Sequence, residues 1–465
     1  MISSRSDTKS FAESVFAQAQ LGDLRRTKRL VALTKQLCRH PGGTLPQKLH
    51  VPKDLRALYR LCNSRHVTHQ AVVQTARQAT LQQIQSHAGD VLILHDSTEL
   101  DYTSQSALRE QLGQIGKGSR KGYICHNALA VDPNTREVLG LAGQILHHRV
   151  QTPKKESQEQ SRQRESRESR LWVNGVKPLP ADRRLVDVCD QGADTFEFLE
   201  TECQSGRRFV IRSKYSRKIN VGHEASGDVH RLREYIRSLP AMGQREADLQ
   251  AHATRKKRRA QLLVSAAAVL VHRPHAKAGN HGNEPLAMWA VRVWEPQPPR
   301  GETPVEWFLL TNEPVTTYED ADRVITWYQL RWIVEEYHKA MKTGCSTEQL
   351  QFRTIDRLEP MIGVLSVVAT TLLNLRAAAE HPEAKTRKAT RLFSKEYVEV
   401  LSAWRWGRVR VGLTIHEFFF ALARLGGHQN RKSDKRPGWL VLWRGWTLLQ
   451  AMVDGAEAMQ SKRCG

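Results

Sequence analysis

The stretch "DVLILHDSTEL", residues 90–100, is the point at which the apolar pattern of the chain changes from helix to strand. In residues 11–83 apolar side chains recur every three or four positions, which predicts helices. In the quoted stretch four consecutive apolar residues lead towards Asp96, and such a run predicts a short buried strand that stops at this aspartate. A second run, "LVDVC" in residues 185–189, is followed directly by Asp190. The alternation of helices and strands predicts an α/β fold.

Further strands are predicted around these two. The segments "GYICHNALAVD" (122–132) and "VLGLAGQILHHR" (138–149) are expected to pair as antiparallel neighbours, because only a turn containing Pro-Asn separates them. Residues 207–218 predict another strand. Residues 216–304 are turn-rich and basic, with two strand-like runs, and predict a β insertion. From Tyr318 to the end, helical patterns dominate.

Two other segments carry structural expectations. The polar, charged segment 151–170 predicts a flexible link that runs into a helix. The tail 438–459 carries an apolar stripe, which must meet either the core of this chain or a partner subunit.

Composition narrows the class of protein. Lys and Arg outnumber Asp and Glu by 71 to 48, a formal charge of +23, and an excess of this size favours a polyanionic partner, most often nucleic acid. A ribosomal or membrane-surface protein would also suit this charge. No run of eighteen apolar residues and no signal-peptide pattern is present, so we expect a soluble cytoplasmic protein without a membrane partner. The seven cysteines form no Cys-x-x-Cys pair, which predicts reduced thiols and argues against a zinc site.

Four cations follow a Gly-Asp break near the N-terminus, at Arg25, Arg26, Lys28 and Arg29. They lie close to a predicted helix start, where positive charge opposes the helix dipole. That placement suits a helix whose N-terminus meets DNA phosphates. A solvated basic face explains the same charges equally well.

The stretch "YQLRWIVEEYHKAMK", residues 328–342, predicts a two-faced helix. At 100° per residue Arg331, Glu335, Lys339 and Lys342 share one side with Tyr328. The opposite side carries Leu330, Val334, Tyr337 and Met341. One interpretation is a solvent face with ordinary i,i+4 ion pairs, each worth about 0.2 to 0.5 kcal/mol. The other is a working face that presents one carboxylate among cations.

Asp96 and Asp190 are the acids that could join Glu335, since binding sites of open α/β sheets gather at the carboxyl ends of strands. A lone aspartate there is also a common turn or cap residue. Three carboxylates would form an oxygen-rich site suited to Mg²⁺ or Mn²⁺. Two such ions about 3.5 to 4 Å apart can activate an attacking oxygen and stabilise a leaving one in phosphodiester chemistry.

Tyr328, Arg331, Glu335 and Lys342 reproduce the Tyr-x2-Arg-x3-Glu-x6-Lys pattern, and in this the chain resembles the bacterial insertion-sequence transposases of the DDE type. The settings "HDSTEL" and "VCDQGAD" resemble those of that family's first and second catalytic aspartates. The resemblance extends to "LGDLRRTKRL", "GETPVEWFLLTNEPV" and "LARLGGHQNRKSDKRPGWLVLWRGW", so it covers essentially the whole chain.

The resemblance implies a domain plan. Residues 1–75 would form a helical DNA-binding domain. Residues 76–378 would form a ribonuclease-H-like catalytic domain that contains the β insertion at about 216–304. Residues 379–465 would form a C-terminal helical region for dimerisation.

The resemblance also implies roles for individual residues. Asp96, Asp190 and Glu335 would bind the metals and be catalytic. Phosphates at the element's end would be held by Tyr328, Arg331 and Lys342, with Arg212 as a secondary candidate. Lys339, which shares the polar side of the predicted helix, is a further DNA-binding candidate. Trp307 and Trp332 match positions where relatives that use a DNA hairpin stack a flipped base, although both residues would also suit core packing.

The implied function is cut-and-paste DNA transposition, in which the enzyme binds the terminal inverted repeats of its element and catalyses metal-dependent strand cleavage and strand transfer. The expected cofactor is Mg²⁺ or Mn²⁺, with two ions. The expected partners are double-stranded DNA, both element ends and target, and a second copy of the chain. Two alternatives stay open: a nuclease of the same fold without strand transfer, and a non-catalytic DNA-binding regulator of transposition.

Overall fold

A computed structural model describes residues 5–150, 155–224, 228–249, 255–274, 281–431, 434 and 436–461. The first four residues of the segment predicted as a flexible link, 151–154, lie outside this part of the chain, as does Cys464. The other six cysteines are free thiols.

The N-terminal region is helical, as its apolar spacing predicts. Its helices are α1 (Arg5–Phe16), α2 (Leu24–Arg39), α3 (Leu45–Lys48), α4 (Pro52–Cys62) and α5 (His69–Ser86). Asp23 caps α2 by accepting a hydrogen bond from the backbone N–H of Arg25 at 2.8 Å. This bond satisfies one of the free donors at the helix start and explains why the Gly-Asp break precedes it. Helix α5 packs on the sheet and on the helix Ile355–Thr371, so it ties this region to the centre of the molecule.

The first half of the sheet follows α5. Its elements are β1 (Val91–Asp101), β2 (Gly113–Gln114), β3 (Lys121–Val131), β4 (Val138–His147), α6 (Gln158–Gln163), α7 (Arg170–Val176), β5 (Leu185–Cys189), α8 (Phe196–Gln204) and β6 (Arg208–Arg212). Strands β3 and β4 are antiparallel neighbours, which confirms that prediction. Strand β1 pairs antiparallel with β3 and parallel with β5, and β5 pairs parallel with β6.

The predicted β insertion adds to this sheet rather than forming a separate body. Its elements are β7 (Lys218–Val221), β8 (His230–Arg231), α9 (Leu232–Ser238), β9 (Gly243–Leu249), β10 (Arg258–Val271) and β11 (Leu286–Trp294), and the chain returns in β12 (Glu306–Thr311). The described strands join in the order β2-β3-β1-β5-β6-β12-β11-β10-β7-β8, with β4 on β3 and β9 on β10. Strand β12 pairs with β6 on one side and β11 on the other, so it links the two halves.

The remaining chain is helical. Its helices are α10 (Tyr318–Gln329), α11 (Trp332–Lys339), α12 (Ile355–Thr371), α13 (Asn374–Glu380), α14 (Lys395–Trp406), α15 (Ile415–Leu425) and α16 (Trp439–Ser461). Helix α16 buries its apolar stripe against α14 and α15, so most of that stripe meets the core of this chain. A Cβ added at Gly445 would lie 2.0 Å from the carbonyl oxygen of Leu422, so the close crossing of α15 and α16 requires glycine there.

The segment Ile355–Glu380 is long and apolar enough to cross a membrane, yet 83% of its apolar window is buried inside the molecule. Helix α12 packs on α2, α4, α5 and β4. Its apolar character is that of a core helix surrounded by the chain's own elements.

Candidate active site between two parallel strands and helix α11

The register of β1 and β5 places Asp96 beside Asp190. The last parallel pair joins His95 to Cys189, and the two aspartates are the next residues along each strand. The prediction that β1 stops at Asp96 is wrong. The strand continues to Asp101 because β3 still pairs with it on the other side. The parallel pairing ends at this point because β5 gives way to a turn. The two carboxylates therefore lie where the parallel pairing ends, the usual place for a binding site in an α/β sheet.

The turn after β5 orients Asp190. Its Oδ1 accepts a hydrogen bond of 2.8 Å from the backbone N–H of Gly192. A Cβ at Gly192 would lie 2.4 Å from the ring of Trp172, so this position of the "VCDQGAD" stretch requires glycine. Asp190 therefore caps the turn and also lies beside Asp96. Its role as a cap residue and its place in the acidic site are compatible.

Arg331 connects the other two acids. Its Nη1 lies 2.8 Å from Oδ2 of Asp96, and its Nη2 lies 2.5 Å from Oε1 of Glu335. Burial raises the pKa of Asp96 to about 6, the charge of Arg331 lowers it, and the charges of Asp190 and Glu335 raise it further. The three predicted catalytic carboxylates therefore lie within one electrostatic field, with a guanidinium between two of them.

The predicted continuous helix over 328–342 is wrong in two places. Between α10 and α11 the chain makes a tight turn, in which the N–H of Arg331 donates to the carbonyl of Tyr328 at 3.1 Å. After α11 the chain widens into a π turn over Ala340–Gly344, closed by the N–H of Cys345 and the carbonyl of Ala340 at 2.7 Å. Single π turns inside helices are frequently found at functional sites.

These irregularities move side chains away from the ideal helical wheel. Tyr328 is buried, whereas the wheel placed it with the polar side, and its ring contacts Trp307 edge-on at 5.5 Å between centroids. Burial raises the pKa of Tyr328, and the charges of Arg331 and Arg212 lower it. The predicted apolar side is confirmed, because its four members Leu330, Val334, Tyr337 and Met341 are all buried.

The remaining cations of the stretch separate from one another. Lys342 lies in the π turn, with its Nζ 3.7 Å from Oε1 of Glu348. Lys339 is exposed, and its charge lowers the pKa of Glu336, which burial raises. The predicted row of cations around Glu335 is therefore reduced to Arg331 in direct contact, with the two lysines further along.

Both predicted base-stacking tryptophans have partners within the chain. The guanidinium of Arg376 lies 4.6 Å from the ring centroid of Trp332, and Arg376 is itself paired with Glu336 and Glu380. Trp307 is half-buried on β12, against Tyr328. Each ring is thus packed and partly accessible, which fits either core packing or contact with a base.

The basic start of α2 divides in a similar way. Arg25 is 91% exposed and paired with Asp23 at 3.0 Å. Arg26 turns inward and donates to the carbonyl of Leu21 at 2.8 Å. Lys28 and Arg29 are exposed and form no ion pair with any described residue. These last two are the cations of the group that the fold leaves available.

A polar network that sequence reasoning missed lies behind Asp96. Asn127 is the β3 partner of Asp96, and its Nδ2 lies 3.1 Å from Nε2 of His338 on α11. Gln144 on β4 donates to Oδ1 of Asn127 at 2.8 Å. Burial, then the charges of Lys342 and Arg331, lowers the pKa of His338 to about 3, so the imidazole is neutral and can accept from Asn127. An amide in the middle of an apolar strand is the signal that could have indicated this network.

A second buried network lies below the aspartates. His95 Nε2 and Arg207 Nε each lie 2.7 Å from an oxygen of Asp187. Burial alone would raise the pKa of Asp187, but the hydrogen bond and charge of His95, with those of Arg207, hold it below its ordinary value. Through His95, the residue before Asp96, this network joins β1 to β5 and stabilises the register of the two strands.

The carboxylates suit a hard divalent cation in chemistry, since all three offer anionic oxygen ligands. As they stand, the described residues contain no group of three or more His, Cys, Asp or Glu side chains close enough to hold a metal ion. Arg331 occupies oxygens of Asp96 and Glu335. A metal would therefore require these oxygens to exchange the guanidinium for the ion.

Two family models match this chain. The model described as "Transposase DNA-binding" matches residues 8–67, and the model described as "Transposase DDE domain" matches residues 87–372, more than half of the chain. The second family consists of polynucleotidyl transferases with a ribonuclease-H-like fold, and it generally uses divalent metal ions. The helical N-terminal region, the mixed sheet and the C-terminal helices agree with that fold. The chain therefore belongs to the DDE transposases.

Proposed function

We propose that this transposase binds the terminal inverted repeats of its element and catalyses strand cleavage followed by strand transfer, by a cut-and-paste route. The observation that carries the proposal is the register that sets Asp96 beside Asp190, with Glu335 joined to Asp96 through Arg331. One strand would be hydrolysed first. The freed 3′ hydroxyl would then attack the second strand or, later, target DNA.

Asp96, Asp190 and Glu335 would hold Mg²⁺ or Mn²⁺, with two ions. When bound, such a pair would activate the attacking oxygen and stabilise the leaving one. Asn127 and the turn at Gly192 orient the strands that carry the two aspartates. Arg331 offsets the repulsion among the carboxylates and is free to turn to a DNA phosphate once those carboxylates take other partners.

Tyr328, Arg331 and Lys342, with Arg212 and Lys339, would hold the phosphates of the element's end, which assigns the Tyr-x2-Arg-x3-Glu-x6-Lys pattern to end binding. The buried Tyr328 supports this role because its hydroxyl lies in the fields of Arg331 and Arg212. Trp307 and Trp332 would stack on a displaced base if cleavage passes through a hairpin. A base would replace the contact that Tyr328 or Arg376 now makes with each ring.

The domain plan belongs to the same proposal. Residues 1–75 would recognise the terminal repeat through the free cations of α2, residues 76–378 would carry the chemistry, and residues 379–465 would pair two subunits. Helix α5 crosses the first boundary and packs on β4 and α12, so repeat binding and catalysis would be mechanically linked. We place the protein in the cytoplasm, associated with the nucleoid when bound to DNA.

The test is a reaction of purified protein with linear DNA that carries the terminal repeats, together with a supercoiled target plasmid and Mg²⁺. Double-strand cuts at the repeats and joined products in the plasmid are expected. Cuts without joining would favour the nuclease alternative. Specific binding without cuts would favour the regulator.

A further inference from the structure

A wide basic groove opens beside Asp190 and is used by none of the functions assigned above. It has a volume of about 1240 Å³ and is lined by the segments that follow β5, β6 and β10, with part of α6. Strands β5 and β6 are parallel, so the two walls that follow them lie at the edge of the sheet that carries Asp190. Strand β10 runs antiparallel to β6, across β12 and β11, and its end forms the far wall of the groove. Gln191, next to Asp190, has its Nε2 3.5 Å from the carbonyl of Ser213, which joins the wall of the groove to the active-site turn.

The two carboxylates of the groove are already neutralised. Asp194 Oδ1 pairs with Arg217 at 2.6 Å, and its Oδ2 accepts the backbone N–H groups of Lys214 and Tyr215. Glu197 pairs with Arg167 at 2.9 Å. These contacts satisfy the acids and hold the loop after β6 against the turn after β5.

The remaining charge of the groove is positive. Four of its lining side chains have no carboxylate partner among the described residues, namely Arg162, Lys218, Arg231 and Arg273. Lys218 and Arg231 are exposed, and they lie opposite each other on β7 and β8. A concave surface with several uncompensated cations concentrates polyanions.

An exposed aromatic ring lies among these cations. Tyr215 is 50% exposed, and Lys214 Nζ and the Arg217 guanidinium each lie 5.4 Å from its ring centroid. The N-terminus of α8, capped by Thr195, also opens on the groove and adds positive potential. A ring flanked by cations is the combination that binds a nucleic-acid backbone and its sugars or bases.

The position of the groove favours one source of DNA. In the strand order β1-β5-β6, Glu335 and Arg331 lie on the β1 side of Asp190, and the groove lies on the β6 side. Tyr328 and helix α11 pack with the core on one face of the sheet, whereas Phe196, which lines the groove, packs with the core on the other face. Arg212, the remaining candidate for the element's end, is the last residue of β6 and precedes the segment that lines the groove. A second duplex that enters from the groove would meet the element's end at Asp190.

We propose that this groove binds the backbone of target DNA during strand transfer. The proposal rests on the proposed function, because it assigns the second DNA substrate of that reaction. Arg162, Lys218, Arg231 and Arg273 contact its phosphates, and Tyr215 packs on a sugar or base.

The experiment uses full-length protein loaded with pre-cut terminal-repeat ends, and it compares wild type with the double variant Lys218→Ala/Arg273→Ala. In the double variant, the target concentration that gives half-maximal joining should rise about tenfold. The slope of log affinity against log salt, measured for a random-sequence duplex binding to the loaded complex, should fall by about two, one for each lost phosphate contact. Binding to terminal-repeat DNA and cleavage of uncut ends should stay at the wild-type level. Tyr215→Ala should weaken target binding, and Tyr215→Phe should restore it because the ring is kept.

The matched control is Lys177→Ala/Arg183→Ala, which removes the same charge from exposed positions before the amino end of β5 that do not line the groove. Equal effects of the two double variants, or no effect of the groove variant, would overturn the assignment. A parallel fall in cleavage of uncut ends would place the DNA flanking the element in the groove instead, which also overturns it. If wild type neither cuts nor joins, the proposed function fails, whereas the duplex-binding measurement still tests the groove.

Discussion

Arg331 is the residue on which the electrostatics of the site depend. It contacts Asp96 and Glu335 directly, and it begins α11 at the turn that follows α10. Burial and the charges of Asp190 and Glu335 raise the pKa of Asp96, and the charge of Arg331 opposes that rise.

At the residue scale we predict that Asp96→Ala, Asp190→Ala and Glu335→Ala each lower cleavage of terminal-repeat DNA in Mg²⁺ by about a hundredfold or more, because each removes an oxygen ligand. Gel-shift binding of the same DNA should persist. The control is Glu336→Gln, since Glu336 neighbours Glu335 in sequence but pairs with Arg376. Wild-type cleavage by any of the three alanine variants would exclude that residue from the catalytic set.

A second residue-scale prediction concerns Lys48, which is 1% exposed and donates to the carbonyls of Pro41 and Cys345. Burial lowers its pKa to about 8, whereas the unfolded chain keeps the ordinary value. The unfolded state thus binds more protons between the two values, so this lysine makes the free energy of unfolding rise with pH in that window. Between about pH 8 and pH 9.5 the gain should be about 1 to 2 kcal/mol.

Chemical denaturation at both pH values measures this effect. In Lys48→Met the gain should be absent, because the variant has no titrating group there. An equal gain in the variant and in wild type would assign the pH dependence to other residues. Lys48 also joins the N-terminal helices to the residue that follows the π turn, because its Nζ donates to the carbonyl of Cys345.

At the element scale, α2 shows how a fold sorts like charges. At its start, Arg25 forms an exposed ion pair with Asp23, and Arg26 donates a hydrogen bond to the carbonyl of Leu21. The two cations one turn later point outward. The position of each cation on the helix, and not the number of cations, therefore decides which side chains are available to contact DNA.

We predict that Lys28→Ala/Arg29→Ala weakens binding to terminal-repeat DNA and lowers the slope of log affinity against log salt by about two, one for each lost phosphate contact. Fluorescence anisotropy over a salt series measures this slope. Arg26→Ala should leave the slope unchanged and instead lower the thermal stability, because its hydrogen bond to Leu21 is lost. A salt slope unaltered by the double variant would remove α2 from the DNA interface.

At the scale of the whole molecule, helix α16 has one buried face and one face with exposed apolar side chains. Trp446 is buried and stacks on Tyr397 at 5.1 Å between centroids, whereas Leu440 and Leu448 are 54% and 50% exposed. The first surface closes the C-terminal core. The second leaves apolar side chains in water, which suits contact with a second subunit.

We predict that Trp446→Ala lowers the free energy of unfolding by about 3 to 5 kcal/mol, the usual cost of removing a large buried aromatic side chain. Leu440→Glu/Leu448→Glu should leave the stability near wild type and prevent two DNA ends from being held in one complex. Denaturation and native gel analysis with labelled ends separate the two effects. Paired-end complexes at the wild-type level in the double variant would place the subunit contact elsewhere.

Much of this architecture was predictable because it depends on local apolar spacing. The helices of the N-terminal region, the strands around Asp96 and Asp190, the β insertion and the buried side of 328–342 all follow from which faces of a helix or strand avoid water. The family resemblance pointed to Asp96, Asp190 and Glu335, and their roles stay predictions. In these respects the amino-acid sequence by itself determined the elements and the order in which they occur.

Only the tertiary structure decided how those elements meet. The continuation of β1 past Asp96 depends on pairing with β3, and the contact of Arg331 with Asp96 joins residues far apart in the chain. The partnership of Asn127 with His338 is equally distant. Periodicity reports the face that a segment buries, whereas strand register and ion-pair partners depend on the energy of the whole assembled core. Local sequence therefore determined the strands and helices. The electrostatic interaction of the three carboxylates was determined only by the tertiary fold, which brings them together.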